Sequence, residues 1–241
     1  MPVPPTFTAR IARARMLSPL VREIAFERPE PLVFEAGQWV SFALPELPAP
    51  EPLRRSYSIA SAPDGSGRFE IAITRVEGGP GSTYLHAAPV GTELTVIGPQ
   101  GFFTRPKDKT GPSLFIGTGT GVTPLRSMLN DAVGKGDTQP LWLLFGVRTQ
   151  ADLIYRDEFD ALAKAHPHVR VIYTLSRPAP EWSGPTGYVQ THVEKLWREL
   201  EARGTPHAYI CGLHRMVGSV RDLLRKDLGV GREQVHSERY D

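Results

Sequence analysis

Three groups of residues in this 241-residue chain have the types and spacing to do chemistry. In Gly117-Thr-Gly-Thr-Gly-Val-Thr-Pro124, glycines alternate after a short apolar run and before a helix-like pattern. Without a Cβ, Gly117, Gly119 and Gly121 can take positive φ and let the backbone lie close against a ligand. A helix starting after the loop would turn its free N–H groups and positive dipole end to the same space, which suits a phosphate. As a pattern the loop is ambiguous. The third glycine of the dinucleotide fingerprint would fall at Val122, no Gly-Lys-Ser/Thr makes it a P-loop, and a tight strand–helix turn explains it equally. The second group is Arg55-Ser-Tyr-Ser58, where alternation along an extended segment puts Arg55 and Tyr57 on one face and Ser56 and Ser58 on the other. A guanidinium can fork onto phosphate oxygens. A tyrosine ring can lie on a flat heterocycle, and a hydroxyl can bond a ring nitrogen; on four residues alone, an exposed strand end is the plainer reading. The third is Cys211, the single cysteine, which by itself reads as a small buried hydrophobe. His86, His166, His168 and His207 lack metal-ligand spacing and read as surface or loop residues, Asp157 and Glu158 as a solvated helix face. No metal site is expected.

The elements that must position these groups change character along the chain. Phe69, Ile71 and Ile73 alternate with Glu70, Ala72 and Thr74, the period of a half-buried strand. Residues 38–44 and 93–97 are similarly short and apolar, and residues 3–16 and 20–26 give weaker strand signals. Turns at Glu35-Ala-Gly37, Pro63-Asp-Gly65, Glu77-Gly-Gly-Pro-Gly81 and Pro89-Val-Gly91 separate them, and the proline-rich residues 45–52 read as a loop. Short strands at this spacing, with almost no helical period, predict a small antiparallel β-barrel.

From about residue 112 strands and helices alternate. Residues 114–116 lead into a helix after Thr123-Pro124, a good start because proline suits the first turn. The nearly continuous apolar run 141–147 reads as a central parallel strand. A helix over 153–164 and a strand over 169–175 follow. Val193, Leu196, Trp197 and Leu200 mark one face of the next helix. Residues 207–211 are a strand, Met216, Val220, Leu223 and Leu224 mark a last helix stopped by Gly229, and 234–240 close the chain as a strand. Repeated strand–helix units predict a doubly wound parallel α/β sheet, with its ligand beyond the carboxyl ends of the strands, where residues 117–123 lie. The expected domains are a β-barrel over 1–108 and an α/β domain over 109–241.

Composition narrows the function classes. Net charge is +2, too near neutral to point to nucleic acid or a membrane surface. A single cysteine excludes an internal disulfide and a cysteine-held cluster within these residues. No run approaches a membrane span. Met1-Pro-Val-Pro-Pro5 has no apolar core behind it and does not read as a signal peptide, so a cytoplasmic protein is expected.

Read in order, the motifs resemble those of the plant-type ferredoxin–NADP(+) reductase family, over nearly the whole length. Arg55-Ser-Tyr-Ser58 resembles the family's Arg-x-Tyr-Ser flavin motif, followed by Ile59. Gly78-Gly-Pro-Gly-Ser-Thr-Tyr84 resembles its second flavin segment, and Gly98-Pro-Gln-Gly101 the turn that ends the flavin domain. The glycine loop through Pro124 is similar to its nucleotide loop. Leu144-Phe-Gly-Val-Arg148 and residues 155–159 match the next strand–helix unit, Cys211-Gly-Leu-His-Arg-Met216 its Cys-Gly-x-x-x-Met segment, and His236-Ser-Glu-Arg-Tyr240 its acidic–aromatic end.

The resemblance implies FAD as cofactor and NADPH as substrate, with NADH possible. Arg55 and Ser82 would hold the FAD pyrophosphate, with Gly79, Gly81 and Thr83 of the same segment, and Ser56 would also bind FAD. Tyr57 would pack on the flavin ring with Ser58 near N5, Tyr240 would be a movable cover on the other face, and Ile59 and Thr123 would also bind FAD. Gly117, Thr118, Gly119, Gly121, Cys211, Gly212 and Met216 would serve the nicotinamide side. Arg148, Ser176, Arg177, Tyr188 and Gln190 would serve the adenosine side. Ser58, Cys211, Glu238 and Tyr240 would surround the reacting atoms, with Glu238 placed to relay protons. Asp241 extends past the aromatic at which family members end, and the family's basic residue before the adenine tyrosine is missing from Ser183-Gly-Pro-Thr-Gly187. The implied activity is hydride transfer from NADPH to flavin, then single electrons to a ferredoxin or flavodoxin, by a monomer. Arg54, Arg105, Lys107 and Lys109 could attract an acidic carrier, or be a scattered solvated surface. Two alternatives remain open: the NADH-dependent reductase component of an oxygenase, and a nucleotide-binding regulatory module that has lost its flavin.

Overall fold

The computed structural model describes residues 4–44, 53–106 and 111–240. Two compact units emerge: Met1–Arg105 with Arg126–Asp131, and Pro106–Leu125 with Ala132–Asp241. The proline-rich residues 45–52, the expected boundary at 108/109, Lys107, Lys109 and Asp241 lie outside the described residues, as do residues 1–3 of the lead.

The first unit is built on β1 (Thr6–Ser18), β2 (Val21–Glu27), β3 (Trp39–Leu44), β4 (Leu53–Ser58), β5 (Arg68–Thr74), the helix α1 (Pro80–Ala87) and β6 (Glu93–Gln100). The strands form one antiparallel sheet in the order β4-β3-β6-β1-β2-β5. Just past β4 the Ala60 N–H donates to the Glu70 carbonyl on β5 (2.7 Å), joining the two outer strands. Alternation decides which side chains meet inside: Ile11, Ile24, Phe26, Val40, Phe42, Phe69, Ile71 and Val96 share one buried core. Each such side chain withdrawn from water contributes about 1.5–3 kcal/mol. The sequence reading has no helix at α1. Its first turn, Gly79-Pro80-Gly81, carries breaker residues, yet proline is tolerated at the first helical position because its missing N–H has no partner there anyway.

The second unit holds β7 (Ser113–Thr118), most of α2 (Val122–Gly134), β8 (Leu141–Val147), α3 (Arg156–Ala165), β9 (Val169–Leu175), α4 (Gln190–Glu201), β10 (His207–Leu213), α5 (His214–Asp222) and β11 (Val235–Tyr240). The five strands are parallel, in the order β11-β10-β7-β8-β9. The chain moves outward from β7 through β8 to β9, then crosses to β10 and β11 on the other side. Strand order therefore reverses between β7 and β10, and the crevice beyond such a reversal is where sheets of this kind bind ligands. Val193, Leu196, Trp197 and Leu200 of α4 are buried against Leu114, Ile116 and Ile210, the face the sequence pattern predicts.

Two local expectations change. The helix expected from residue 153 begins at Arg156, because Tyr155 takes a left-handed φ of 59° and residues 150–152 form a separate 3-10 turn closed by a Thr149–Asp152 capping box. His207 is not a loop residue; it is a buried member of β10, and its Nδ1 lies 3.1 Å from Nε2 of His236.

Candidate functional site

In the first unit, β4 ends in the Arg55–Ser58 motif. Its register with β3 sets Ser56 opposite Ser41, and the two hydroxyls hydrogen-bond at 2.8 Å. Arg55 and Tyr57 face the other way, opposite Phe42 and Val40, as alternation requires. The Tyr57 ring lies 6.0 Å from that of Phe42. Burial pushes the Tyr57 phenol up to about 12, against the opposing charge of Arg55, so it is neutral at physiological pH. Ser58 is buried, and Ile59 is buried and donates its N–H to the Gln38 carbonyl (2.9 Å).

The second flavin-like segment adjoins the first. A Cβ on Gly81 would sit 2.6 Å from Cγ of Arg55, so only glycine lets the first turn of α1 come this close to the arginine stem. That helix starts without a side-chain cap and without an acidic residue in its first turn. Its dipole end favours an anion; the Arg55 stem lies against it, and the guanidinium donates from Nη1 to the Arg54 carbonyl (2.9 Å), leaving further N–H groups for phosphate oxygens. The Ser82 hydroxyl is committed to the turn: it accepts from Val76 N–H (3.1 Å) and lies 3.0 Å from the Gly79 carbonyl as donor. A close glycine contact, an uncapped helix start and a guanidinium are the donor set that a diphosphate needs, so these residues fit FAD.

Arg126 and Ser127, which sequence reasoning missed, act on the residues just past the Arg55–Ser58 motif. Arg126 donates from Nη1 to the Ala60 carbonyl and to Glu70 Oε2, both at 2.9 Å. Ser127 donates to the Ser61 carbonyl at 2.7 Å. Their signal was an arginine–serine pair inside the apolar pattern Leu125, Met128, Leu129, since buried polar groups in a helix face require partners.

In the second unit the glycine loop follows β7 as a 3-10 turn over Gly119–Gly121, and α2 begins at Val122, ahead of the expected start after Thr123-Pro124. Of the three glycines only Gly119 takes positive φ, at 54°. Gly121 serves close approach instead: a Cβ there would lie 2.4 Å from the Cys211 carbonyl oxygen. The loop is thereby seated on β10 at the strand-order reversal. Thr118 Oγ1 is buried and has no hydrogen-bond partner, an orphan atom facing Gly212, whose added Cβ would meet it at 2.4 Å alongside Met216. Such an atom fits a polar ligand group.

Cys211 pairs in register with Gly117 on one side and Glu238 on the other. Burial raises the thiol well above its ordinary range and the charge of Glu238 adds to this, while hydrogen bonds from Tyr240 and the Gly212 backbone oppose it. Cys211 is therefore a neutral thiol, not a thiolate nucleophile. Tyr240 OH also lies 3.3 Å from Thr123 Oγ1, which donates to the Thr120 carbonyl at 2.8 Å. Thr118, Thr123, Cys211, Gly212, Glu238 and Tyr240 thus gather at one end of the sheet.

The residues expected on the adenosine side lie at the end of β9 and beyond it. Ser176 N–H donates to the Val147 carbonyl (3.0 Å) and Arg177 N–H to the Arg148 carbonyl (2.8 Å), which sets two exposed arginines on adjacent backbones. Tyr188 stands exposed just before α4, which opens at Gln190. Of the basic group considered for a carrier, Arg54 is exposed and Arg105 half-buried. Among the described residues no cluster of three or more metal-ligating side chains occurs, and no helix is long and apolar enough to cross a membrane.

Residues 8–104 match the oxidoreductase FAD-binding domain family and residues 115–222 the oxidoreductase NAD-binding domain family. The chain is 55% identical to ferredoxin–NADP reductase B of Sorangium cellulosum, over 98% of each chain. It is 33% identical to the phenol hydroxylase P5 protein of Acinetobacter pittii, covering 97% of this chain but only 65% of that one. Among solved structures, the Amycolatopsis cytochrome P450 reductase GcoB superposes with a TM-score of 0.84 at 27% identity, over 98% of this chain and 70% of that one.

Proposed function

From the membership of this chain in the ferredoxin–NADP(+) reductase family of FAD- and NAD-binding oxidoreductases, we propose a flavoenzyme that takes hydride from NADPH and passes single electrons to a ferredoxin or flavodoxin. The observation that carries this reading is the pairing of Cys211 with both Gly117 and Glu238 at the sheet's reversal, beside a glycine loop that tolerates no side chain at Gly121. The alternative of a module without flavin is disfavoured by the seating of Arg55 against Gly81. We take the domain boundary at 108/109 and the enzyme as a cytoplasmic monomer.

FAD, when bound, supplies the exchange between a two-electron hydride donor and one-electron acceptors. The chain's own residues bind and orient. Arg55 and the backbone N–H groups of Gly81 and Ser82 hold the diphosphate, Gly79 and Thr83 shape the turn through their own backbone hydrogen bonds, and Ser56 is fixed by Ser41. Tyr57, neutral and half-buried, offers a ring face; Ser58 offers a hydroxyl to the flavin edge; Ile59, Thr123 and Tyr240 complete the surround. Gly117, Thr118, Gly119, Gly121, Gly212 and Met216 receive the nicotinamide end, and the uncharged Cys211 thiol gives it a wall that does not compete as a nucleophile. Glu238 holds or accepts a proton there. Donor and acceptor atoms must be kept about 3–3.5 Å apart for such a transfer.

Nucleotide preference rests on Ser176, Arg177 and Arg148, with Tyr188 and Gln190 for the adenine. A charge-assisted contact to the 2′-phosphate contributes ~1.5–3 kcal/mol, roughly ten- to a hundredfold in affinity. Steady-state kinetics of Arg177→Ala test this: the ratio of kcat/KM for NADPH over NADH should fall by about that factor. An unchanged ratio removes Arg177 from the site, and a native preference for NADH favours the oxygenase-reductase reading. For the carrier, Arg54, Arg105, Lys107 and Lys109 supply positive charge, so reduction rates of an acidic ferredoxin should drop as salt rises.

A further inference from the structure

A polar clasp in the second unit lies beneath the turn that carries Tyr188. Thr174, near the end of β9, is fully buried, and its single hydroxyl proton is donated to the Gly187 carbonyl at 3.0 Å. His192, in the first turn of α4, brings Nε2 to 3.0 Å from Thr174 Oγ1 and to 3.0 Å from the Thr186 carbonyl. Both neighbours are acceptors toward the ring, because a carbonyl has no proton and the threonine proton is already committed. Nε2 therefore carries the hydrogen and divides it between the two oxygens. The rest of the turn is fixed just as closely. Gly187 N–H donates to the Leu175 carbonyl (2.8 Å) and Leu175 N–H to the Pro185 carbonyl (3.2 Å). Val189 is buried over Gly146, where a Cβ would sit 2.4 Å from Val189 Cγ1. Between these locked neighbours Tyr188 is 66% exposed. A ring held out from fixed backbone loses little freedom when a flat ligand stacks on it.

We propose that His192, as its Nε2–H tautomer, is a positioning residue for the adenosine end of the dinucleotide: it ties the 186–188 turn to β9, so that Tyr188 is presented beside Ser176 and Arg177. This rests on the assignment of Tyr188 and Arg177 to the adenine and 2′-phosphate. The FAD-loaded enzyme carries the test, through NADPH kinetics with a one-electron inorganic acceptor and calorimetric binding of adenosine 2′,5′-bisphosphate.

In His192→Ala, both the KM for NADPH and the Kd for the bisphosphate should rise roughly five- to tenfold, the scale of one or two lost hydrogen bonds, with the loss falling on KM rather than kcat. His192→Gln returns an N–H at similar reach and should recover most of the affinity; His192→Leu, similar in bulk, should not. Unchanged affinity in His192→Ala, or equal impairment of the glutamine and leucine variants, overturns the proposal. Tyr188→Ala separates the two levels. If it binds the bisphosphate as tightly as the parent, the adenine assignment fails and the inference with it. If Tyr188→Ala weakens binding and His192→Ala does not, the inference alone fails. Should His192→Ala fold poorly, Thr174→Val removes the hydroxyl from the same clasp; lowered bisphosphate affinity supports the proposal and parental affinity overturns it.

Discussion

Cys211 is where a residue's chemistry depends most on its surroundings. Its neighbour Gly212 marks it in the sequence, but whether it is a thiol or a thiolate follows from burial and from Glu238 across the β10–β11 pair. A raised thiol resists alkylation, since the thiolate is the reactive form. Iodoacetamide at pH 8 should therefore modify the folded protein far more slowly than the denatured chain, and equal rates would contradict the neutral assignment. The residues legible from sequence are those whose neighbours along the chain constrain them, such as Arg55 and Tyr57 on an alternating strand. His192, Arg126 and Ser127 have partners 18, 66 and 66 positions away, at Thr174, Ala60 and Ser61, and so left little local signal.

Elements carry the next level of the argument. The glycine loop was legible as a loop, but glycine at 121 serves the Cys211 carbonyl, a contact between segments 90 positions apart. Gly121→Ala cannot be accommodated by a side-chain rotation, because the opposing atoms are backbone. Such overpacking costs about 1–3 kcal/mol. Calorimetric titration should show NADPH binding weakened at least about tenfold while FAD content stays at the parental level. Helix α2 offers a complementary case. Arg126→Ala strips a donor from the Ala60 carbonyl and one of two cations from Glu70, which keeps Arg13 at 3.0 Å, a loss of about 1–3 kcal/mol. Denaturant unfolding should detect it, together with lowered FAD retention, because Ala60 lies two residues past Ser58. Strands announced themselves by period, and β8 and β9 match their expected bounds. Helix α1 did not, since eight residues opening on Pro-Gly give no 3.6-residue pattern to read.

At the scale of the whole molecule, the two-unit order of barrel-type sheet and parallel sheet was legible because the hydrophobic period switches once along the chain. What pattern alone does not convey is the charge held inside the first unit. Burial pushes the carboxyl of Glu23 up, but the hydrogen bond from Arg15 and the charges of Arg15, Arg126 and Arg13 outweigh it, leaving the group below its ordinary 4.5. A carboxyl whose pKa is lowered by folding contributes stability above its unfolded value, and that contribution is lost as pH falls through the folded one. Acid unfolding of this unit should thus set in below about pH 4.5, and Glu23→Gln should flatten the slope there; an unaltered acid limb would remove Glu23 from this role.

The central claim is a division of labour, with flavin held by Arg55–Ser58 and α1, nucleotide held at the β7–β10 reversal, and a separate carrier as acceptor. Anaerobic stopped-flow on the FAD-loaded protein, first with NADPH or NADH and then with ferredoxin or flavodoxin, tests it most directly. The expected result is flavin bleaching by NADPH ahead of NADH by roughly ten- to a hundredfold at limiting nucleotide, then reduction of about two equivalents of carrier per NADPH, as a hydride carries two electrons. Flavin that stays oxidised with both nucleotides, or a carrier that stays oxidised beside fully reduced flavin, would contradict it.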